Sequence, residues 1–258
     1  MRARSWIRLG VVAAVLWAAA CSNPLGRQYE YEEQLYLEVD GSATLVVDAS
    51  IPALVALRKL PLDPSPRTPV DPDQVRRLFS TAGCQDVRVG SPWVRQGRRF
   101  VQVTIQAADV REFAKCAPVS WSSFLFEREQ QGEREIIHYK QVVGDAAGGD
   151  PGAVNWTGTE LVGFKLHLPS RIVFHNVKRL EDGSNGEPSR GNILAWEQWL
   201  KDRRASRPIE IEVRMDSQSI LYRTLWLFAG AFVAASAVLL SLVWWTIRRA
   251  KRRVALTK

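Results

Sequence analysis

The chain has 258 residues, enough for one or two domains. It carries 35 Lys and Arg against 27 Asp and Glu, for a net charge of +8. Ten of the basic residues flank two apolar segments at the ends of the chain, and residues 22–219 hold the other 25 together with all 27 acidic residues. The positive charge therefore reflects membrane topology, and we expect no nucleic-acid partner.

The N-terminal segment has the parts of a secretory signal. Three arginines precede a short apolar run, Leu9–Ala20, which is too short to span a membrane comfortably. We therefore assign residues 1–20 as a signal peptide. The following sequence, Ala18-Ala19-Ala20-Cys21, resembles the bacterial lipobox, in which the cysteine is acylated with lipid such as palmitate. The same residues fit conventional cleavage after A-x-A, so both kinds of processing stay open.

The exported part begins with hairpin-like sequence. Residues 29–39 and 43–49 have the alternation of strands, and Asp40-Gly41 between them is typical of a tight turn. Glu30, Glu32 and Glu33 at the start of the first strand indicate a solvated edge. Ser50 is the expected N-cap of a short helix that ends at residue 57.

A proline-rich surface loop over residues 61–72 comes next, and Asp71 caps the helix that follows it. Strands are predicted over 85–94 and 99–107, and a third short helix over 109–115. Further strands are predicted over 121–128, 135–143, 161–168, 171–177, 192–196 and 208–215. The fold class is thus α+β: a mostly antiparallel sheet with two or three short helices and a β-rich C-terminal part.

The C-terminal segment Thr224–Ile247 contains 24 residues without a formal charge. As a helix it would extend about 36 Å, which covers a hydrocarbon core of about 30 Å. The basic cluster in residues 248–258 predicts a cytoplasmic tail, so residues 21–219 form an extracytoplasmic domain of a single-pass cell-membrane protein.

The remaining cysteines, Cys84 and Cys116, form an even pair in an oxidising compartment. A disulfide between them and two separate buried thiols are both consistent with the sequence. The connecting segments are short, with about seven residues between Cys21 and the first strand and a similar number before the span. We therefore expect the domain to act within one domain diameter of the bilayer.

Candidate catalytic chemistry is sparse. The three histidines have no metal-ligand spacing, and Gly158–Lys165 lacks the Gly-Lys-Ser/Thr ending of a phosphate loop. We predict no catalytic residues, no metal ligands and no cofactor, and expect the protein not to be an enzyme. Trp156 and Trp199 are predicted to be exposed aromatic residues at a ligand cavity or a membrane-facing rim.

Three stretches carry a family resemblance. The lipobox-like cysteine leads into Tyr36–Thr44, and Leu168–Phe174 and Gly191–Trp196 precede the last strand and the membrane span. This order resembles the bacterial membrane-anchored lipoproteins of the LppM type. The resemblance implies an α+β exported domain that binds lipid or glycolipid, with Cys21 as the acylation site and no catalytic residues.

Three functions follow in order of expectation. The first is a membrane-tethered domain that binds envelope lipid or glycolipid at the outer face of the cytoplasmic membrane, and it predicts an apolar cavity or groove. The second is a structural or assembly partner of an envelope protein complex. The third is an enzyme that acts on lipid or cell-wall substrates.

Overall fold

A computed structural model describes residues 27–132, 134–189 and 192–255, and leaves out the side chains of Arg223 and of 249–255. Cys21 and the predicted signal peptide lie outside the described residues. The strands are β1 (Tyr29–Leu37), β2 (Ala43–Ser50), β3 (Gln85–Val89), β4 (Trp93–Arg95), β5 (Arg98–Ala107), β6 (Ser122–Gln131), β7 (Arg134–Val143), β8 (Leu161–His167), β9 (Ser170–His175), β10 (Ile193–Trp199) and β11 (Ile209–Ser219). The helices are α1 (Ile51–Arg58), α2 (Pro72–Phe79), α3 (Leu200–Arg204) and α4 (Ile220–Ala255), with 3-10 turns at Val110–Lys115 and Ala117–Val119.

The predicted α+β class is confirmed. The strands form two sheets: sheet A, in the order β10-β8-β1-β2-β5-β3 with β4 also on β5, and sheet B, in the order β6-β7-β11-β9. All pairings are antiparallel except that of β1 with β8. β1 is a central strand of sheet A because it pairs with β2 on one side and with β8, a strand distant in sequence, on the other.

Local signals in the sequence account for the turn and the caps. Gly41 has φ +93°, and the Asp40 carboxylate accepts hydrogen bonds from the backbone N–H and hydroxyl of Ser42 at 2.9 and 2.7 Å. The Ser50 hydroxyl caps α1 by accepting the Ala53 N–H at 3.1 Å. The Asp71 carboxylate caps α2 in the same way.

Two local predictions differ from the structure. The strand predicted over residues 85–94 is divided into β3 and β4, because the Gly90-Ser91-Pro92 stretch between them includes a proline that cannot donate to a strand pair. The helix predicted over 109–115 is a 3-10 turn. Its Asp109 cap lies where predicted and accepts the Arg111 N–H at 2.9 Å.

The prediction of a solvated acidic edge at the start of β1 is wrong. Glu30, Glu32 and Glu33 are 2, 9 and 3% exposed. They are buried because β1 lies between β2 and β8 instead of at an edge. Glu30 pairs with Arg98 at 2.7 Å and Glu32 with Lys165 at 2.5 Å, so each buried carboxylate has a compensating charge.

The core lies between the inner faces of the two sheets. Leu35, Leu45 and Phe164 of sheet A face Phe124 and Ile211 of sheet B across a space of only about 10 Å³. That volume has room for about one water molecule. The space between these five side chains is therefore too small for an acyl chain.

The strand directions give the domain two distinct ends. At the anchor end, β11 passes into α4, Ser219 lies opposite Ser170, and the Ile220 N–H donates to the Pro169 carbonyl at 3.0 Å. At the far end, Tyr29 and Leu161 begin the parallel strands β1 and β8. Leu161 and Pro169 are eight positions apart, which separates the two ends by about 26 Å.

The helix α4 continues from β11 without an intervening loop. Its stretch Ile220–Arg248 has a mean hydropathy of 2.2 over its most apolar window and is not covered by the rest of the described chain. A 29-residue apolar helix is long enough to cross a bilayer with some tilt. Tyr222 and Trp226 form an edge-to-face pair in its first turns, as expected of aromatic residues at a membrane interface.

Candidate functional site

The polar groove at the anchor end is the candidate binding site. It has a volume of about 430 Å³ and is formed by the β6–β7 turn, the start of β9 and the end of β11. Its lining is made of charged and polar side chains: Gln130, Arg134, Glu135, Arg171, Asp216, Ser217 and Gln218. The groove therefore suits a hydrated, charged ligand rather than an acyl chain.

Two arginines of this groove have unused hydrogen-bonding capacity. Arg134 and Arg171 are exposed, and neither guanidinium has an ion-pair or hydrogen-bond partner among the described residues. Elsewhere lining arginines are satisfied, as Arg98 is by Glu30. A guanidinium presents a planar set of donors that matches phosphate or carboxylate, so the groove has two open positions for an anion.

The other lining groups add acceptors. Glu135 is held by Arg128 at 2.9 Å, and Asp216 is 8% exposed with a partner of its own. Together with the Gln130 and Gln218 amides, these carboxylates suit the hydroxyl groups of a polyol. The combination of two cations and several acceptors matches a ligand that carries both a phosphate and hydroxyls.

The position of the groove relates it to the membrane. Gln218 lies two residues before α4, so about 7 Å of strand separates it from the start of the helix. The polar headgroup layer adds about 5–7 Å to each side of the hydrocarbon core. The groove therefore lies next to the start of the candidate membrane span.

A second polar groove, of about 540 Å³, lies at the far end between β1, β5 and the segment before β8. Its charged groups Arg98, Glu30 and Glu160 already have hydrogen-bond or ion-pair partners. Arg98 binds Glu30 and also donates to the Asn155 carbonyl at 3.3 Å, while the Glu160 carboxylate accepts the N–H groups of Thr157 and Gly158 at 2.7 and 2.9 Å. We interpret this groove as a structural junction.

A buried polar cluster fills the far half of the inter-sheet space. Glu33 accepts hydrogen bonds from the Tyr31 hydroxyl at 2.5 Å and the Trp121 indole at 3.0 Å. Arg58 and Arg203 stack on the Trp121 ring at 4.4 and 5.4 Å. Burial raises the pKa of Glu33 above its ordinary value of 4.5, while those hydrogen bonds and the two arginines oppose the shift. Glu33, Tyr31 and Trp121 are buried and Arg58 is partly exposed, so we interpret the cluster as structural.

The three histidines lie apart. His138 on the outer face of sheet B contacts Glu129 and Glu212 through its two ring nitrogens, at 3.2 and 3.1 Å. His167 on sheet A stacks on Tyr36 with a centroid distance of 4.0 Å. The carboxylates of Glu129 and Glu212 lie on opposite sides of the His138 ring. Within the described ranges, no group of three His, Cys, Asp or Glu has the arrangement of a metal site.

The predicted aromatic sites are both at the far end. Trp156 is half-buried, packs against the core and donates to Glu30 at 3.4 Å. Trp199 is half-buried at the end of β10, opposite Leu161. Neither residue lies beside the groove at the anchor end, and their role as interface aromatic residues stays a prediction.

Cys84 and Cys116 are joined by a disulfide, with their Cα atoms 5.0 Å apart. The bridge connects the start of β3 to the end of the first 3-10 turn. The groove residues Arg134 and Arg171 were not identified from the sequence. They are 37 positions apart and line the same groove because β11 pairs with both β7 and β9.

The fold and the groove define a membrane-associated α+β protein in which a candidate membrane span lies next to a polar groove. No protein-family model and no curated protein matches the sequence. One similar solved structure is the folded domain of the LppM protein of Mycobacterium tuberculosis, determined by NMR, with a TM-score of 0.39 and 11% identity. The match covers 76% of this chain and 94% of that one. Similarity at this level does not establish the family, so the resemblance stated from the sequence stays a prediction.

Proposed function

We propose that the protein is a non-enzymatic, membrane-tethered binding domain that recognises the polar headgroup of an anionic envelope lipid or glycolipid at the outer face of the cytoplasmic membrane. The observation that carries this proposal is the pair of unpaired arginines, Arg134 and Arg171, in a polar groove two residues from the start of α4. The outward orientation follows from the basic residues after the span.

The ligand class follows from the lining. Phosphate would occupy the positions in front of the two guanidinium groups, and Glu135 and Asp216 would accept hydrogen bonds from headgroup hydroxyls. The filled core between the sheets leaves the acyl chains in the bilayer. Recognition without extraction of the lipid is consistent with a domain that stays attached beside the span.

The experiment is a lipid titration of the full-length protein in detergent micelles, followed by native mass spectrometry. Phosphatidylglycerol and phosphatidylcholine are compared for wild type and for Arg134→Gln and Arg171→Gln. A hydrogen bond to a charged group contributes about 1.5–3 kcal/mol, so each substitution should weaken phosphatidylglycerol binding by about tenfold or more.

Arg88→Gln is the matched control. Arg88 is an exposed arginine of β3, in the other sheet, and pairs with Asp86. It should bind phosphatidylglycerol as the wild type does. Equal affinity for the two lipids, or the same loss in all three variants, would contradict headgroup recognition at this groove.

A further inference from the structure

The edge strand β9 presents apolar side chains to solvent. It pairs with β11 on one side only, and Val173 and Phe174 are 51 and 45% exposed. Exposed apolar edges promote aggregation, and proteins usually cover or charge them. We therefore expect the apolar side chains of this edge to contact a partner.

The formally charged residues within the segment 170–180 are all basic. Arg171 precedes the apolar residues and Lys178 and Arg179 follow them, whereas residues 170–180 contain no Asp or Glu. Together, the exposed residues Arg171, Val173, Phe174, Lys178 and Arg179 form what we call the β9 edge. Apolar side chains between cations are typical of segments that lie in the interface of an anionic bilayer.

The β9 edge joins the two points at which the chain leaves the domain. At its start, Ser170 lies opposite Ser219, beside the first residue of α4. At its other end, Glu181 follows Arg179 by two residues and forms an ion pair with Arg27, at the N-terminal limit of the described domain. One side of the domain thus carries both the membrane span and the segment that leads to Cys21.

The reach of that N-terminal segment favours a domain lying on this side. If the strands stood upright on the bilayer, Arg27 would be about 26 Å further from the membrane than Ile220. The six residues from Cys21 to Arg27 extend at most about 21 Å. In that orientation, a lipid on Cys21 could not reach the leaflet from which α4 emerges. It could reach this leaflet if the strands lay along the membrane surface, and both ends of the β9 edge would then face the bilayer.

The junction between β11 and α4 allows this change of direction. The Ser219 hydroxyl accepts the Leu221 N–H at 3.2 Å, which is N-cap geometry at the first turn of α4. An N-cap residue has extended rather than helical backbone angles, so strand and helix axes can diverge at this residue.

We propose that the β9 edge docks on the anionic surface of the bilayer that α4 crosses. Val173 and Phe174 enter the interfacial layer, while Arg171, Lys178 and Arg179 contact lipid phosphates. A second copy of the chain is the competing occupant, since a free strand edge can pair with another strand. The basic residues of the segment 170–180 favour the anionic lipid surface, because the like charges of two copies would repel each other. The proposal requires α4 to cross the membrane but does not depend on Arg134.

The test uses the full-length protein in nanodiscs of phosphatidylcholine and phosphatidylglycerol at 3:1. A fraction of the phosphatidylglycerol carries a photoactivatable diazirine on its acyl chain near the headgroup. After illumination, lipid adducts are mapped on peptides by mass spectrometry. We expect adducts on the β9 peptide in addition to those on α4, which serve as the internal reference.

Val173→Glu should lower the β9 adducts at least fivefold relative to those on α4. Val94→Glu is the matched control, since Val94 is 60% exposed on β4 and outside the β9 edge. The Lys178→Glu/Arg179→Glu double variant should give the same loss as Val173→Glu, whereas Arg134→Gln should retain the β9 adducts even if headgroup recognition fails. Adducts confined to α4, β9 adducts that Val173→Glu leaves unchanged, or cross-links between two copies through β9 would overturn the proposal.

Discussion

Replacing Glu33 by alanine probes the interaction on which the packing of the two sheets depends at the far end. The carboxylate is 3% exposed and accepts hydrogen bonds from Tyr31 and Trp121, on β1 and just before β6. In Glu33→Ala both donors remain buried without an acceptor. Glu33→Gln keeps an acceptor oxygen of nearly the same size and position, which makes it the matched comparison.

The expected magnitude follows from the two orphaned donors. Each unsatisfied buried polar group costs about 1–3 kcal/mol, so Glu33→Ala should lower the free energy of unfolding by about 3–5 kcal/mol. Glu33→Gln should cost about 1 kcal/mol or less at acidic pH. The assay is urea unfolding of the full-length protein in micelles, followed by tryptophan fluorescence. Equal stability of the two variants would refute the role assigned to the carboxylate.

A comparison of wild type with Glu33→Gln tests the titration of Glu33. Burial raises its pKa in the folded state above the ordinary 4.5, so the folded protein holds its proton to higher pH than the unfolded chain does. The stability from this group is complete below the ordinary pKa and is lost as the pH rises through the raised one. The stability of wild type relative to Glu33→Gln should therefore fall as the pH rises from 4. A constant difference across this range would contradict the burial.

Two further predictions concern the scaffold. Cys84 and Cys116 close a loop with a sequence separation of 32, so replacing both by serine should lower the free energy of unfolding by about 3–4 kcal/mol, measured against wild type under non-reducing conditions. A Cβ added at Gly149 would collide with the Val55 carbonyl, whereas at Gly90 the nearest atom would be 3.6 Å away. Gly149→Ala should therefore cost about 1–3 kcal/mol in the same assay, and Gly90→Ala should be nearly neutral.

The local elements could be predicted from the sequence because their signals are local. The Asp40-Gly41 turn and the caps at Ser50 and Asp71 each depend on residues within four positions of one another. The apolar C-terminal segment was equally direct, since hydrophobic length alone identifies a candidate span. The structure has the turn, the two caps and the apolar helix at the predicted positions.

The arrangement of the strands could not be predicted in this way. The parallel pairing of β1 with β8 joins residues more than 120 positions apart, and it converts an apparent acidic edge into a central strand. The burial of Glu33 and the meeting of Arg134 with Arg171 both follow from such long-range pairings. A charged residue in a predicted strand suggests a position exposed to solvent. The residues that pair with these buried charges come from distant segments, so the sequence does not reveal them.

The claim that most needs a direct measurement is headgroup recognition beside the span. We would extract the full-length protein from its native membrane in polymer-bounded nanodiscs and compare the co-purified lipids with the bulk membrane. The account predicts enrichment of an anionic lipid with a hydroxylated headgroup, reduced in Arg134→Gln/Arg171→Gln and retained in Arg88→Gln. A lipid composition equal to that of the bulk membrane in all three proteins would contradict it.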